Sequence, residues 1–395
     1  MKKIGIGLLG LGTRGVYFGG KVFEQFPDCE IVAVCDQRQD KINAATRVLK
    51  KDVFSSTSVE KFLSAPGLDA VVVATPDHAH KDGAIKVLKT KKHLYLEKPM
   101  AQSIEDCDAI VKAWAGSDTV FMVGLELRYC TLMRDLKAII DSGEIGDIKI
   151  GSAVDNVSVG GDFYYHGSRR KKEYIKSLIL EKGTHTLDLV NWLVDSSPVK
   201  VYASSGLDVF GGKESNKLRC RDCDKNSSCH YYVNHKNFKM DYDAIIYDKE
   251  DLCVYAEECD VPDNGLLLID YANGARMSYM ECHFTPEYSR EFMFIGTKGK
   301  VTAFYNNEQE FKITVWKRHT RKLDIYLPEH GEGGHGGGDT LIVKEFLRRI
   351  RAGEHGMYGI RGARDSAAIA IAGAESEHTG MPVMIPPIPI TITAD

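Results

Sequence analysis

Two stretches of the 395-residue chain carry side chains suited to moving a proton. The first is Leu94-Tyr95-Leu96-Glu97-Lys98-Pro99, an apolar, β-favouring run that ends in a carboxylate, an ammonium and a proline. Proline gives no N–H to a ladder and pushes the residue before it out of the α region, so a strand stops here. Lys98 then stands at the carboxyl end of that strand, where open α/β sheets hold their ligands. Taken alone, it reads more readily as a solvated loop lysine beside Glu97. The second stretch runs from Ile179 to Leu193 and reads as a helix, with Glu181, His185 and Asp188 at i, i+4 and i+7 on one face. Three ionisable groups among Leu, Val and Trp must pair, meet water or serve a ligand. The plainer alternative is a capped helix whose His185 bonds Asp188. Lysine works as a base near neutral pH only when burial or a nearby positive charge lowers its pKa, so Lys98 and His185 are the candidates to share a proton.

The elements that must position them begin at the N-terminus. Ile4 to Leu9 reads as a strand, and Gly10-Leu11-Gly12-Thr13-Arg14-Gly15 leads from it into a helix over Val16–Phe26. In a G-x-G-x-x-G turn the first glycine allows the tight bend and the second lets backbone approach a pyrophosphate. The third lets the helix pack on the strand. A second strand, Glu30–Cys35, ends in Asp36, placed to bind an adenosine ribose. A carboxylate there repels a 2′-phosphate and favours NAD, whereas Arg38 keeps NADP open. The βαβ pattern continues through a buried strand, Ala70–Ala74, into Thr75-Pro76-Asp77-His78-Ala79-His80, where Thr75 and Pro76 would line the cofactor crevice. His80 reads equally as a ribose or nicotinamide neighbour and as a helix-start histidine without a ligand. Further units extend to strand Thr119–Gly124, completing a doubly wound parallel sheet over residues 1–125.

Residues 126–395 follow a different pattern. A helix (Met133–Ser142) leads to closely spaced strand candidates, including Ile148–Val157, Val199–Ser205, Ala244–Tyr247, Leu252–Glu257, Leu266–Tyr271 and Ala275–Cys282, with more to Tyr326. This predicts an α+β domain with a large, mostly antiparallel open sheet. Cys220, Cys223 and Cys229, with His230 and His235, have spacing compatible with a structural zinc, but the fourth ligand is undefined and a metal-free thiol loop is preferred. The glycine-rich run Gly331–Gly338 carries His335, a second-tier substrate contact, and Asp339 reads as N-cap of a helix over Thr340–Arg351. The last helix is expected over Arg364–Thr379.

Composition narrows the partners. A net charge of −4 and 27% charged residues point to neither nucleic acid nor an anionic membrane. No apolar run is long enough for a membrane span, and Met1 to Leu9 reads as the first strand, so a cytoplasmic location is expected. Ten cysteines in a chain of this length do not make a disulfide framework.

The glycine turn, Asp36, Ala74-Thr75-Pro76 with His80, and Glu97-Lys98-Pro99 resemble the Gfo/Idh/MocA oxidoreductases, as does Gly124-Leu125-Glu126-Leu127-Arg128-Tyr129 leaving the first domain. The resemblance implies a Rossmann domain that binds NAD or NADP through Gly10, Gly12, Thr13, Arg14, Gly15 and the strand-end residues Asp36, Arg38, Thr75, Pro76, His80, Glu97 and Lys98. It implies hydride transfer at a secondary hydroxyl of a sugar or polyol, with Lys98 and His185 catalytic. Arg128, Glu181, Asp188 and His335 would lie against the substrate. The family places a D-x-x-x-H pair where this chain has Glu181 and His185, one methylene longer, which leaves substrate and regiochemistry open. Assembly as a homodimer or homotetramer through the open sheet is also implied. Two other readings stand beside this one. One is an NAD-dependent glycosidase that oxidises transiently and eliminates its aglycone; the other is a non-catalytic dinucleotide sensor or scaffold.

Overall fold

The computed structural model describes residues 2–50, 52–233, 251–306 and 310–389. Two sheets organise them. The first has seven strands in the order β15-β6-β5-β4-β1-β2-β3. They are β1 (Ile4–Leu9), β2 (Cys29–Cys35), β3 (Phe54–Ser56), β4 (Ala70–Val73), β5 (His93–Leu96), β6 (Val120–Val123) and, far along the chain, β15 (Gly356–Tyr358). Every pairing is parallel. Uninterrupted Val and Ala in β4 suit burial on both faces, and all four of its residues are buried. The helix after the glycine turn starts earlier than expected. It runs as α1 (Thr13–Tyr17), a π turn (Phe18–Val22) and a 3₁₀ turn (Phe23–Gln25). The next helices are α2 (Gln39–Leu49), α3 (Val59–Leu63), α4 (His80–Lys89) and α5 (Ile104–Trp114).

The second sheet has nine strands in the order β14-β13-β12-β11-β7-β10-β9-β8-β16, antiparallel except for the parallel pair β7–β10. Its centre is β7 (Ile148–Asn156), β8 (Pro198–Gly206), β9 (Asn264–Tyr271), β10 (Arg276–Cys282), β11 (Ser289–Gly296) and β12 (Gly299–Asn306). The remaining strands are β13 (Phe311–Lys317), β14 (Leu323–Tyr326) and β16 (Val383–Met384). Helices α6 (Thr131–Asp141), α7 (Lys172–Ile175) and α8 (Thr184–Val194) precede β8. Leu187, Val190, Leu193, Val201, Leu267 and Ile269 join one core, closed by the long C-terminal helix. Among the described residues the opposite face is uncovered at its centre. Tyr202, Leu266, Leu268 and Met280 stand exposed on neighbouring strands, with Leu268 opposite Tyr202 and Leu266 opposite Met280.

Several expectations are corrected. Residues 252–257 form no strand, only isolated bridges at Leu252 and Ala256, because Asp251 is drawn under Arg219 and Arg221 in an irregular loop. The expected strand Ala244–Tyr247 lies outside the described residues, as does His235. Among the described residues, Cys220, Cys223 and Cys229 are not gathered as a ligand set; the Cys220 thiol lies 3.9 Å from His166 Nδ1. The first layer is not confined to residues 1–125. Helix α9 (Gly338–Ala352) inserts Ile342, Val343, Phe346 and Leu347 into the core around β1, and β15 extends the sheet at β6. The final helix, α10 (Ile360–Thr379), begins four residues earlier than predicted, after Gly359 in the left-handed region. Among the described residues, no helix is long and apolar enough to cross a membrane.

Candidate active site

The cofactor crevice is built as the glycines require. Gly10 has φ +93°, and a Cβ there would lie 2.5 Å from the Ala74 carbonyl oxygen, so only glycine lets β1 turn so close to β4. A Cβ on Gly12 would meet nothing within 4 Å, so the backbone faces open space where a pyrophosphate fits. Asp36, just past β2, accepts from Leu11 N–H at 2.8 Å and Arg38 N–H at 2.9 Å, which braces the turn and holds the carboxylate at the ribose end. The Thr75 hydroxyl is buried with no protein partner, a group left for a ligand. Pro76 leads into the 3₁₀ turn Asp77–Ala79. These features fit a dinucleotide.

Other predicted contacts serve the scaffold. Both ring nitrogens of buried His80 face backbone carbonyls, Pro99 O at 2.7 Å and Thr75 O at 2.9 Å, so the imidazole ties β4's exit to the Lys98–Pro99 turn and is turned away from any ribose. The Arg38 guanidinium is held by Asp40 on the surface. Thr13 opens α1 at an exposed position. Arg14 turns inward: its guanidinium donates to Glu97 at 2.8 Å, to Asp339 at 2.9 Å and to Glu126. Three carboxylates sharing one cation cannot all ionise freely. Burial pushes Glu126 up to about 8, against Arg14 and with Glu97 and Asp339 adding to the rise. Asp339 stays below the ordinary carboxylate range despite burial, because His335 and Arg14 bond it. It is therefore not the cap of α9, which starts at Gly338 after Gly337 in the left-handed region. Glu126, His335 and Asp339 lie within 4.8 Å of one another as a cation could use them, but Arg14 already supplies the positive charge to both carboxylates.

The reacting side is assembled where the two layers meet. Lys98 lies two residues past the end of β5, and its ammonium donates to the Glu181 carbonyl at 2.6 Å. Residues 179–188 are not one α-helix. A π turn over Ile179–Gly183 precedes α8, and its extra residue rotates Glu181 away from the face of Asp188. The turn lies directly on the sheet: a Cβ on Gly183 would come within 2.8 Å of both the Tyr279 hydroxyl and Glu281 Oε2. Asp188 instead takes a two-point bond from Arg128, at 2.9 and 2.7 Å, against Gly362. Arg128 lines a cavity of about 460 Å³ with Trp192, Arg348 and Tyr358, which none of Lys98, Glu181 or His185 enters. Arg128 and Asp188 thus brace α8 instead of facing the expected substrate position.

His185 is buried, with Nδ1 unpartnered and 3.8 Å from Glu126 Oε2, which is also unpartnered. Burial, then Lys98, His335 and Lys182, push its pKa well below the ordinary value, so it is neutral and able to accept a proton. The glycine-rich loop delivers His335 with φ +52°, its ring 5.2 Å from His185 and its Nδ1 3.1 Å from Asp339. Sequence reasoning missed Asp77, which lies against Glu181. Burial and the neighbouring Glu181 charge push Asp77 up, while Lys98 and Arg169 outweigh burial and hold Glu181 down, so of the two carboxyls Asp77 is the one its surroundings favour protonated. Arg169 Nε is 3.4 Å from Glu181. The only sequence signal for Asp77 is its place just past the end of β4.

Comparison with known proteins agrees with this geometry. Residues 4–125 match the family described as "Oxidoreductase family, NAD-binding Rossmann fold" and residues 133–302 match the "GFO/IDH/MocA C-terminal domain". YteT of Bacillus subtilis (strain 168) is 28% identical over 353 residues, covering 78% of this chain and 80% of that protein. The scyllo-inositol 2-dehydrogenase (NAD(+)) of the same organism is 23% identical over 388 residues, covering 96% and 95%. Among solved structures, levoglucosan dehydrogenase in complex with NADH and levoglucosan superposes with a TM-score of 0.74 at 19% identity, over 98% of this chain and 100% of that one. With an NAD-type crevice and a lysine–histidine site between two layers, and with both of its halves matched, the chain belongs to the Gfo/Idh/MocA family of NAD-binding oxidoreductases.

Proposed function

We propose that the protein oxidises a secondary hydroxyl of a sugar or polyol, or reduces the corresponding ketone, with NAD preferred over NADP. What supports this reading is that Lys98, just past the end of β5, bonds the backbone of the turn that leads into α8 and contributes to lowering the pKa of buried His185 on that helix. When bound, nicotinamide accepts or supplies the hydride. The protein's own residues handle everything else. Lys98 directs an N–H at the carbinol oxygen and orients it. As the C–H bond breaks with its electron pair, the O–H proton passes to a nitrogen of His185, and the C–O bond becomes a carbonyl. Glu126, held by Arg14, faces Nδ1 and steadies the imidazole. Glu181 carries the site's shared negative charge, and Asp36 at the ribose end disfavours a 2′-phosphate. The relatives named for scyllo-inositol and levoglucosan support a sugar or polyol substrate.

The test is a panel of sugars, inositols and glycosides assayed for NADH and NADPH formation, with Lys98→Met as control. Turnover should fall about 10²–10⁴-fold in that variant while NADH binding, followed by fluorescence, is retained. Near-normal turnover would remove Lys98 from the chemistry. Glycoside cleavage without net NADH formation would favour the redox-neutral route instead. Two further assignments go with this function. The exposed apolar face at Tyr202, Leu266, Leu268 and Met280 supports a homodimer or homotetramer through the second sheet, to be checked by light scattering. Ten free cysteines support a reducing, cytoplasmic setting.

A further inference from the structure

We infer that Tyr279 is a positioning residue for hydride transfer: its hydroxyl is the hub of a buried polar circuit that clamps the π turn of Glu181 onto the second sheet and so fixes the carbonyl on which Lys98 rests. The inference rests on the dehydrogenase reading above. The circuit starts from the register of three neighbouring strands. Asp155 on β7 stands opposite both Glu281 on β10 and Arg290 on β11, and all three are almost wholly buried. Two carboxyl groups side by side on adjacent strands repel when ionised, and away from water they are costly. Tyr279 joins them, its hydroxyl 2.8 Å from Asp155 Oδ2 and 2.6 Å from Glu281 Oε2. Arg290 donates to the other Asp155 oxygen at 2.7 Å, and His283 bonds the other Glu281 oxygen at 2.7 Å. Burial and the two carboxylates push the phenol well above its ordinary value, so it stays protonated and keeps its O–H to share.

The π turn meets this circuit at two consecutive residues. A Cβ on Gly183 would come within 2.8 Å of both the Tyr279 hydroxyl and Glu281 Oε2, so the bare backbone rests on the bridge itself. Lys182 donates to the Tyr288 hydroxyl at 2.8 Å, and the Arg290 guanidinium carbon stands 5.6 Å from the centre of that ring. The path therefore closes, from Gly183 through Tyr279, Asp155, Arg290 and Tyr288 to Lys182. Glu181 comes just before Lys182 and its carbonyl takes the Lys98 ammonium at 2.6 Å, while His185 lies in the first turn of α8, directly after Gly183 and Thr184. Both proton-handling groups take their places from a turn whose height above the sheet is set by one hydroxyl. On the same face of these strands Ala153, Met277, Phe292 and Phe294 belong to the apolar core, so the polar row is local to the turn. Hydrogen-bonded networks of this kind rigidify what they hold.

The test is a single turnover. Protein saturated with NAD is mixed with the sugar or polyol that turns over fastest, and NADH formation is followed for wild type, Tyr279→Phe, Lys182→Met and Tyr279→Phe/Glu281→Gln. The rate constant reads how well the reacting groups are placed, whereas the amplitude reads only the fraction of folded, cofactor-loaded protein. Tyr279→Phe should lower the rate constant about ten- to hundred-fold with its amplitude largely kept. Lys182→Met opens the circuit at its partly exposed end and should lower the rate constant less, which keeps the inference testable where Tyr279→Phe does not fold. In the double variant the new amide can donate to Asp155 across the gap, so part of the rate should return. An unchanged rate constant in Lys182→Met, and in Tyr279→Phe where it folds, with any loss confined to amplitude or melting temperature, would make the circuit purely structural. That result would overturn the inference and leave the dehydrogenase reading standing. No turnover of the wild-type protein on any sugar, inositol or glycoside would overturn both.

Discussion

Replacing Arg14 by Met gives the most direct measure of how the site is held together. The guanidinium is the shared partner of Glu97, Glu126 and Asp339, whose side chains are 7%, 1% and 2% exposed. Removing one partner of a buried pair leaves an uncompensated charge and costs about 3–5 kcal/mol. Met keeps most of the aliphatic stem against the Phe18 ring, which the guanidinium carbon overlies at 4.0 Å, so the loss is mainly electrostatic. In a chain of this size that corresponds to roughly 4–6 °C in melting temperature. The loss must depend on pH. Glu126, raised to about 8, favours the folded state in its protonated form. Its contribution is present below the unfolded carboxyl value near 4.5 and is lost as pH rises through 8. Without Arg14 its folded pKa should rise further, so the variant's deficit is larger at pH 8.5 than at pH 5.5. Thermal melts of wild type, Arg14→Met and Arg14→Met/Glu126→Gln at both pH values test this, with the double variant recovering part of the loss at high pH. A deficit under about 1 kcal/mol, or one indifferent to pH, would show that the three carboxylates do not depend on Arg14.

Other outcomes follow from the same geometry. With His185 pushed well below its ordinary value, the acid limb of kcat/KM for oxidation should lie below about pH 6.5; a limb at or above that value that moves in His185→Gln would contradict a neutral, buried base. Gly183→Ala forces a Cβ onto the Tyr279 hydroxyl and Glu281, so the π turn must lift and turnover should drop at least ten-fold with modest loss of stability, as read by paired kinetics and melts. Asp36→Ala should weaken NAD more than NADP and narrow the preference by about ten-fold, measured as the ratio of the two cofactor KM values. An unchanged ratio would mean that the carboxylate only braces Leu11 and Arg38.

Much of this site is legible in the sequence where ligand chemistry is written into short local motifs. The glycine turn, Asp36 and Glu97-Lys98-Pro99 each sit at a strand end, and the alternation of strand and helix fixes which ends share a crevice. His185 is legible because helical spacing sets it with Glu181 and Asp188 and because the family resemblance places a histidine there. Partnerships across long separations were not. Arg14 and Asp339 are 325 positions apart, and nothing near either residue marks the other. Asp339 imitates a helix cap because it precedes Thr340, but the glycines before it set the true start. The π turn is equally invisible, since its side chains follow a helical pattern to within one residue. That single residue separates Glu181 from Asp188 and turns Asp188 to Arg128. His80 has the residue type of a ligand contact, yet two backbone carbonyls claim its ring.

The return of the chain to complete the first sheet has a consequence for synthesis. Helix α9 and β15 cannot be in place until residues 338–358 have left the ribosome, long after β1 to β6 have emerged. During that interval β6 presents an unpaired edge, and the nascent first layer lacks Ile342 and Phe346 from its core. The same late segment carries Asp339 to Arg14, closely preceded by His335. Competence to bind cofactor stably is thereby linked to near-completion of translation, and a ribosome-stalled chain ending at residue 330 should be protease-sensitive throughout its first layer.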